Sequence, residues 1–145
     1  MRAGATAGAG FLLAVLWFDL MFDVQVLRDG DAEAVDSIAR YYRRVTTDAR
    51  PMNRFIALVM VATLVCLVAE VFGDDVTQWV AVTSLILAVI PIGVAGSRTV
   101  ARAVRLGAQD VAPAHQLAMA RLILREHLFC VACIAAVLVL QLALA

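Results

Sequence analysis

The stretch MNRFIALVMVATLVCLVAEVF, residues 52–72, decides the fold. Between Arg54 and Glu70 it carries no charged residue, and a helix needs roughly 20 apolar residues to cross the hydrocarbon core of a bilayer. No water is available there to backbone N–H and C=O groups, so such a run satisfies them internally as a helix. Outward from it, Gly73-Asp-Asp-Val-Thr77 is short and acidic, and a second apolar run, Trp79–Gly96, follows at once. The two runs predict an antiparallel helical hairpin. Further apolar runs at Ala5–Leu27 and His127–Leu144 complete a set of four spans (5–27, 52–72, 79–96 and 127–144). The predicted fold is an all-α integral membrane four-helix bundle, a single domain over residues 1–145.

Composition agrees. Of 145 residues, 63% are hydrophobic and 17% charged, whereas a soluble domain has about 45–50% and about 25%. Twelve basic residues balance twelve acidic ones, so net charge offers nothing to a nucleic acid, and none is expected as a partner. The first apolar run ends in Trp17-Phe-Asp-Leu-Met-Phe-Asp23 without a small-residue cleavage site, and is expected to remain as a helix rather than be removed as a signal peptide. Within it, Gly4/Gly8 and Gly10/Ala14 stand four residues apart. Small residues at that spacing let helices approach closely in lipid, and packing within the bundle is favoured over a dimer face.

The connector 29–50 predicts an amphipathic helix, started by Asp31 and stopped before Pro51. Val35, Ile38, Tyr42 and Val45 share one face, and Asp36, Arg40, Arg43 and Arg44 fill the rest. A helix of this kind is expected to lie in the membrane interface with its arginines among lipid headgroups, docking onto protein being the rival. The connector 97–116 repeats Arg98, Arg102 and Arg105 at helical spacing, so the third span is expected to continue past the membrane. These six arginines are the expected contacts for anionic headgroups. Pro91 is expected to kink that span. The two connectors and the adjoining helix ends hold eleven of the twelve arginines. Positive-inside placement then puts them in the cytoplasm of a cytoplasmic (inner) membrane, with both termini outside.

Polar residues within the spans gather at the arginine-rich end. Asp19 and Asp23 share a helix face. Asn53 and Arg54 open the second span, and Arg125, Glu126 and His127 open the fourth. Ionisable groups at such depth cost several kcal/mol, of order 3 or more, unless paired, so these seven residues are the candidate site. Two alternatives stay open: an Asp19–Arg125 lock between the first and fourth helices, or a substrate, proton or cofactor site. Glu70, near Asp74 and Asp75, is expected to belong to an acidic outer rim.

Cys130-Val-Ala-Cys133 has the spacing of a redox pair, but it sits on the expected reducing side with no second pair to relay electrons. Cys66 lies far along the second span. Cysteine as a small apolar packer is favoured. His115 and His127 do not predict a bis-histidine haem site; a hydrogen bond from His127 to Asp19 or Asp23 is the commoner arrangement, and no metal-binding motif, phosphate loop or nucleophile elbow is present. Neither cofactor nor metal is expected.

The stretches Trp17-Phe-Asp-Leu-Met-Phe-Asp-Val-Gln25 and Arg121-Leu-Ile-Leu-Arg-Glu-His127, set in four spans, resemble those of small bacterial four-helix membrane proteins. The layout is similar to that of the anthrone-oxygenase-like family, whose last helix also opens with arginine and histidine. That resemblance implies cofactor-independent oxidation of an aromatic substrate, although no residue here matches a catalytic pattern. From the residues themselves, the expected function is a non-enzymatic accessory or small-molecule-binding bundle, alone, as a homo-oligomer or in a larger membrane complex. The alternatives are a small proton-coupled transporter using Asp19 and a membrane oxidoreductase using Cys130/Cys133 or His127.

Overall fold

The computed structural model describes residues 1–28, 32–74 and 76–144, and every regular element among them is helical. In chain order these are α1 (Arg2–Asp23), the single turn α2 (Gln25–Arg28), α3 (Ala32–Arg43), α4 (Arg50–Val71), α5 (Gln78–Val94), α6 (Val100–Gly107) and α7 (Pro113–Ala143). Wider π-pitched turns at Arg44–Asp48 and Ala95–Thr99 lead from α3 towards α4 and from α5 into α6. Four helical stretches are long and apolar enough to cross a membrane: Arg2–Leu27, Pro51–Val71, Gln78–Gly107 and Pro113–Ala143. The chain is a multi-pass membrane bundle. Leu58, Val61, Val65, Ile86 and Val139 stand exposed on its outside, where a bilayer, unlike water, is a favourable neighbour.

α1 packs against α4 and α7, and α5 packs against the same two helices, giving the ring order α1–α4–α5–α7. The core is built from small residues of α1 (Ala5, Ala9) with Leu12, and from Leu67, Ala88, Ile134 and Val137. Gly8 lies so close to α4 that a Cβ there would sit 2.0 Å from Thr63 Oγ1, and one at Gly4 would sit 2.8 Å from Cys66 Sγ. The Gly4/Gly8 pair therefore does serve packing within the bundle. Gly10 faces open space instead.

The boundaries differ from the sequence expectation at two places. The first span breaks at Val24, beyond Asp23, whose side chain is committed to the interior. The fourth begins at Pro113 rather than His127; its 31 residues extend about 46 Å, well beyond a core of about 30 Å. Arg121 and Arg125 lie within this helix. As expected, the third span continues beyond its apolar run, through buried Pro91 and the wider turns at Ala95–Thr99, into α6.

The connector helix α3 is amphipathic as its pattern predicts, with Ala34, Val35, Ile38, Ala39 and Tyr42 buried. What covers that face is protein rather than lipid. Val35, Ile38 and Tyr42 form one cluster with Val26 of α2, Ala103 and Leu106 of α6, and Ile123 and Leu124 of α7. The interfacial expectation is corrected in this respect: the apolar face was already spoken for by α6 and α7. Contact is close enough that a Cβ on Gly107 would lie 2.5 Å from the backbone nitrogen of Arg43. Asp31, the expected N-cap, lies outside the described residues, as does Asp75. Pro51 stands in the first turn of α4, where its missing N–H has no partner to lose.

Two alanine substitutions should move stability in opposite directions. Gly107→Ala forces a methyl group into the Arg43 backbone and should cost about 1–3 kcal/mol. Gly10→Ala meets nothing and should be neutral or stabilising by up to about 1 kcal/mol, since alanine favours helix over glycine. Thermal unfolding of the purified protein in detergent measures both.

Candidate functional site

α1 brings Asp19 and Asp23 to one face near its end, α3 contributes Tyr41 and Tyr42, and α7 contributes His127. Asp23 is 0% and His127 7% exposed. The His127 Nδ1–H donates to Asp23 Oδ2 at 2.6 Å, and the Tyr42 hydroxyl donates to Asp23 Oδ1 at 2.7 Å. The Tyr41 hydroxyl donates to Asp19 Oδ1 at 2.7 Å. His127 Nε2 lies 3.9 Å from Asp19 Oδ2, so the imidazole stands between two carboxylates. Phe22 stacks on the Tyr41 ring, centroids 4.0 Å apart. Burial raises the pKa of both phenols, and the neighbouring carboxylates (Asp19 foremost for Tyr41, Asp23 for Tyr42) raise it further. Both hydroxyls consequently remain donors at any physiological pH.

Of the seven residues expected from the sequence, the structure joins three: Asp19, Asp23 and His127. Glu126 turns to the other side of α7, where it pairs with Arg102 and accepts a 2.8 Å hydrogen bond from Thr99 Oγ1. That interaction fastens α7 to the α5–α6 junction and draws Arg102 away from the headgroup role expected of it. Asn53 Nδ2 donates to the Thr46 carbonyl at 3.4 Å. Arg54 is exposed. Arg125 is exposed too and makes no ion pair among the described residues, so the Asp19–Arg125 lock is not formed; tyrosine and histidine side chains meet the carboxylates instead. Cys130 is buried with Sγ 3.8 Å from the Pro91 carbonyl, Cys133 is half-buried, and all three cysteines are free thiols.

Beside this cluster lies a half-open cavity of about 750 Å³ between the four spans, inside the roughly 300–1,000 Å³ range of small-molecule sites. Its walls are apolar, with Phe11, Leu16, Met60, Ile92 and Ile134 among them; its polar groups include Asp19, Tyr41, Asn53, Arg54 and His127. Sequence inspection missed the tyrosines: Tyr42 read as a member of an apolar face, and Tyr41 was not singled out. It also missed the opposite end of the bundle. There Glu70 is 2% exposed and accepts a 2.8 Å bond from Gln141 Nε2, so it belongs to the interior and not to an acidic rim.

Compared with known families, residues 5–145 match the SHR3 chaperone family, described as ER membrane protein SH3. The chain belongs to this family. It is therefore a multi-pass membrane protein of a chaperone-type, accessory family. Its description names the ER membrane rather than a bacterial inner membrane. No curated protein and no solved structure matches the chain.

Asp23→Ala should lower stability by about 2–4 kcal/mol, because it strands the His127 Nδ1–H and the Tyr42 hydroxyl in the interior. Arg125→Ala, at an exposed position, should stay within about 0.5 kcal/mol of the parent. Thermal or denaturant unfolding in one detergent separates the two.

Proposed function

We propose that the protein is a non-enzymatic accessory of the ER membrane, a chaperone that shelters an apolar segment of a client membrane protein before that segment finds its final neighbours. The observation that carries this is the half-open, apolar-walled cavity of about 750 Å³ within the bundle. A membrane segment awaiting assembly has no hydrophobic drive to leave lipid; what it lacks is close packing and partners for its polar groups. Apolar walls that include polar groups at Asp19, Asn53 and Arg54 supply both. Family membership over nearly the whole chain supports the chaperone assignment.

In this proposal the arginine-rich end faces the cytoplasm, and Arg40, Arg43, Arg44, Arg98 and Arg105, all exposed, meet anionic headgroups. Proton-coupled transport by Asp19 has less support, since its carboxylate is held by Tyr41 and flanked by His127. An oxidoreductase has less as well, since Cys130 is enclosed against Pro91.

Filling the cavity without disturbing the Asp23 cluster tests the proposal. Ala57→Phe and Ala14→Phe, both at exposed positions on the cavity wall, should fold normally. In cells lacking the native protein, the parent chain should restore the abundance of dependent multi-pass proteins, and the filled variants should restore it several-fold less. Full restoration by correctly folded, filled variants would sink the cavity mechanism.

A further inference from the structure

The end of the bundle remote from the arginine-rich connectors holds a polar cluster that the proposed function does not use. Glu70 (2% exposed), Gln141 (0%) and Ser84 (0%) come from α4, α7 and α5 and meet inside the core. Gln141 Nε2 donates to Glu70 Oε2 at 2.8 Å and lies 3.4 Å from Ser84 Oγ. Two buried oxygens then have no donor among the described residues: Glu70 Oε1 and Gln141 Oε1. An orphaned buried acceptor costs about 1–3 kcal/mol, and more when it is charged, so two on touching groups mark a place where something is meant to bind.

We propose that Glu70, Gln141 and Ser84 form a site for one small monovalent metal cation of the sodium class. Carboxylate, amide carbonyl and hydroxyl are hard oxygen donors of the type that select alkali and alkaline-earth ions over transition metals. A single carboxylate balances a single positive charge; a divalent ion would leave net charge in the membrane interior. The fold adds a field of the same sense. Glu70 and Gln141 lie in the last turns of α4 and α7, and helix C-termini carry partial negative charge. Arg2 is the competing cation: its Nε donates to the Gln141 main-chain carbonyl at 3.0 Å. Among the described residues it makes no ion pair with Glu70, so the carboxylate remains available. This proposal is independent of the chaperone function and of the cavity.

Thermal unfolding of the purified full chain tests it, in sodium, lithium, potassium or choline chloride at one ionic strength and one pH. The melting temperature should rise saturably with sodium and lithium, less with potassium, and not with choline, as expected when a ligand binds only the folded state. Glu70→Gln, which keeps the shape and provides an N–H for Gln141 Oε1, should fold and lose the sodium response. Ser84→Ala should raise the half-saturating sodium concentration about ten-fold, the equivalent of one lost ligand. Direct binding of radioactive sodium to the parent chain, competed by unlabelled sodium but not by choline, keeps the test decisive if Glu70→Gln misfolds. Equal melting in all four salts, a response to pH alone, or a sodium response retained by Glu70→Gln overturns the proposal.

Discussion

A carboxylate with no access to solvent inside a membrane bundle must be met by donors from its neighbours, and the arrangement of this protein follows from how Asp23 is met. Its two oxygens are taken by Tyr42 of α3 and His127 of α7, so one side chain of α1 ties together three elements distant in sequence. Leaving any of these groups unpaired in so low a dielectric would cost far more than an ordinary surface contact contributes. The same requirement places the connector helix. α3 folds back against α6 and α7 because its apolar face has a protein surface to cover and its tyrosines have carboxylates to reach.

The two ends of the bundle are built differently as a result. Towards the arginine-poor end, glycine and alanine on α1 let it lie against α4 at Thr63 and Cys66, and α4, α5 and α7 meet at Glu70, Ser84 and Gln141. Towards the arginine-rich end the same helices leave the cavity. Its floor is α3 with the π-pitched turn after it, since Tyr41, Tyr42, Val45 and Thr46 all line it. In the proposed chaperone role this cavity receives the apolar guest while the packing at the other end is kept.

Much of the site was legible before the fold. Spacing put Asp19 and Asp23 on one helix face, and counting along the spans put His127 at their level. The histidine partner was legible too, since His127 bonds Asp23; what failed was the lock to Arg125. Arg125 had the right charge and depth, but the buried residues of α7 (Ala120, Ile123, His127, Cys130, Ile134, Val137 and Gln141) recur every three or four positions. Arg125 lies two residues before His127 and so points nearly away from that face. This periodicity was present in the sequence, and it also marked Gln141 as inward-facing. Glu70 carried the matching signal, being in register with buried Thr63 and Leu67.

The sequence by itself determined that the chain crosses a membrane four times as helices, because a bilayer admits no other way to satisfy so long an apolar backbone. It also determined which end would carry the arginines, and that α3 would have one apolar face. Only the tertiary structure decided what that face covers, which cations and hydroxyls meet the carboxylates, and where the helices part to leave a cavity. These depend on rotation and approach of helices about one another, set by contacts such as Gly8 with Thr63 and Gly107 with Arg43. A local pattern fixes which side of a helix is turned inward, but not which helix it will find there.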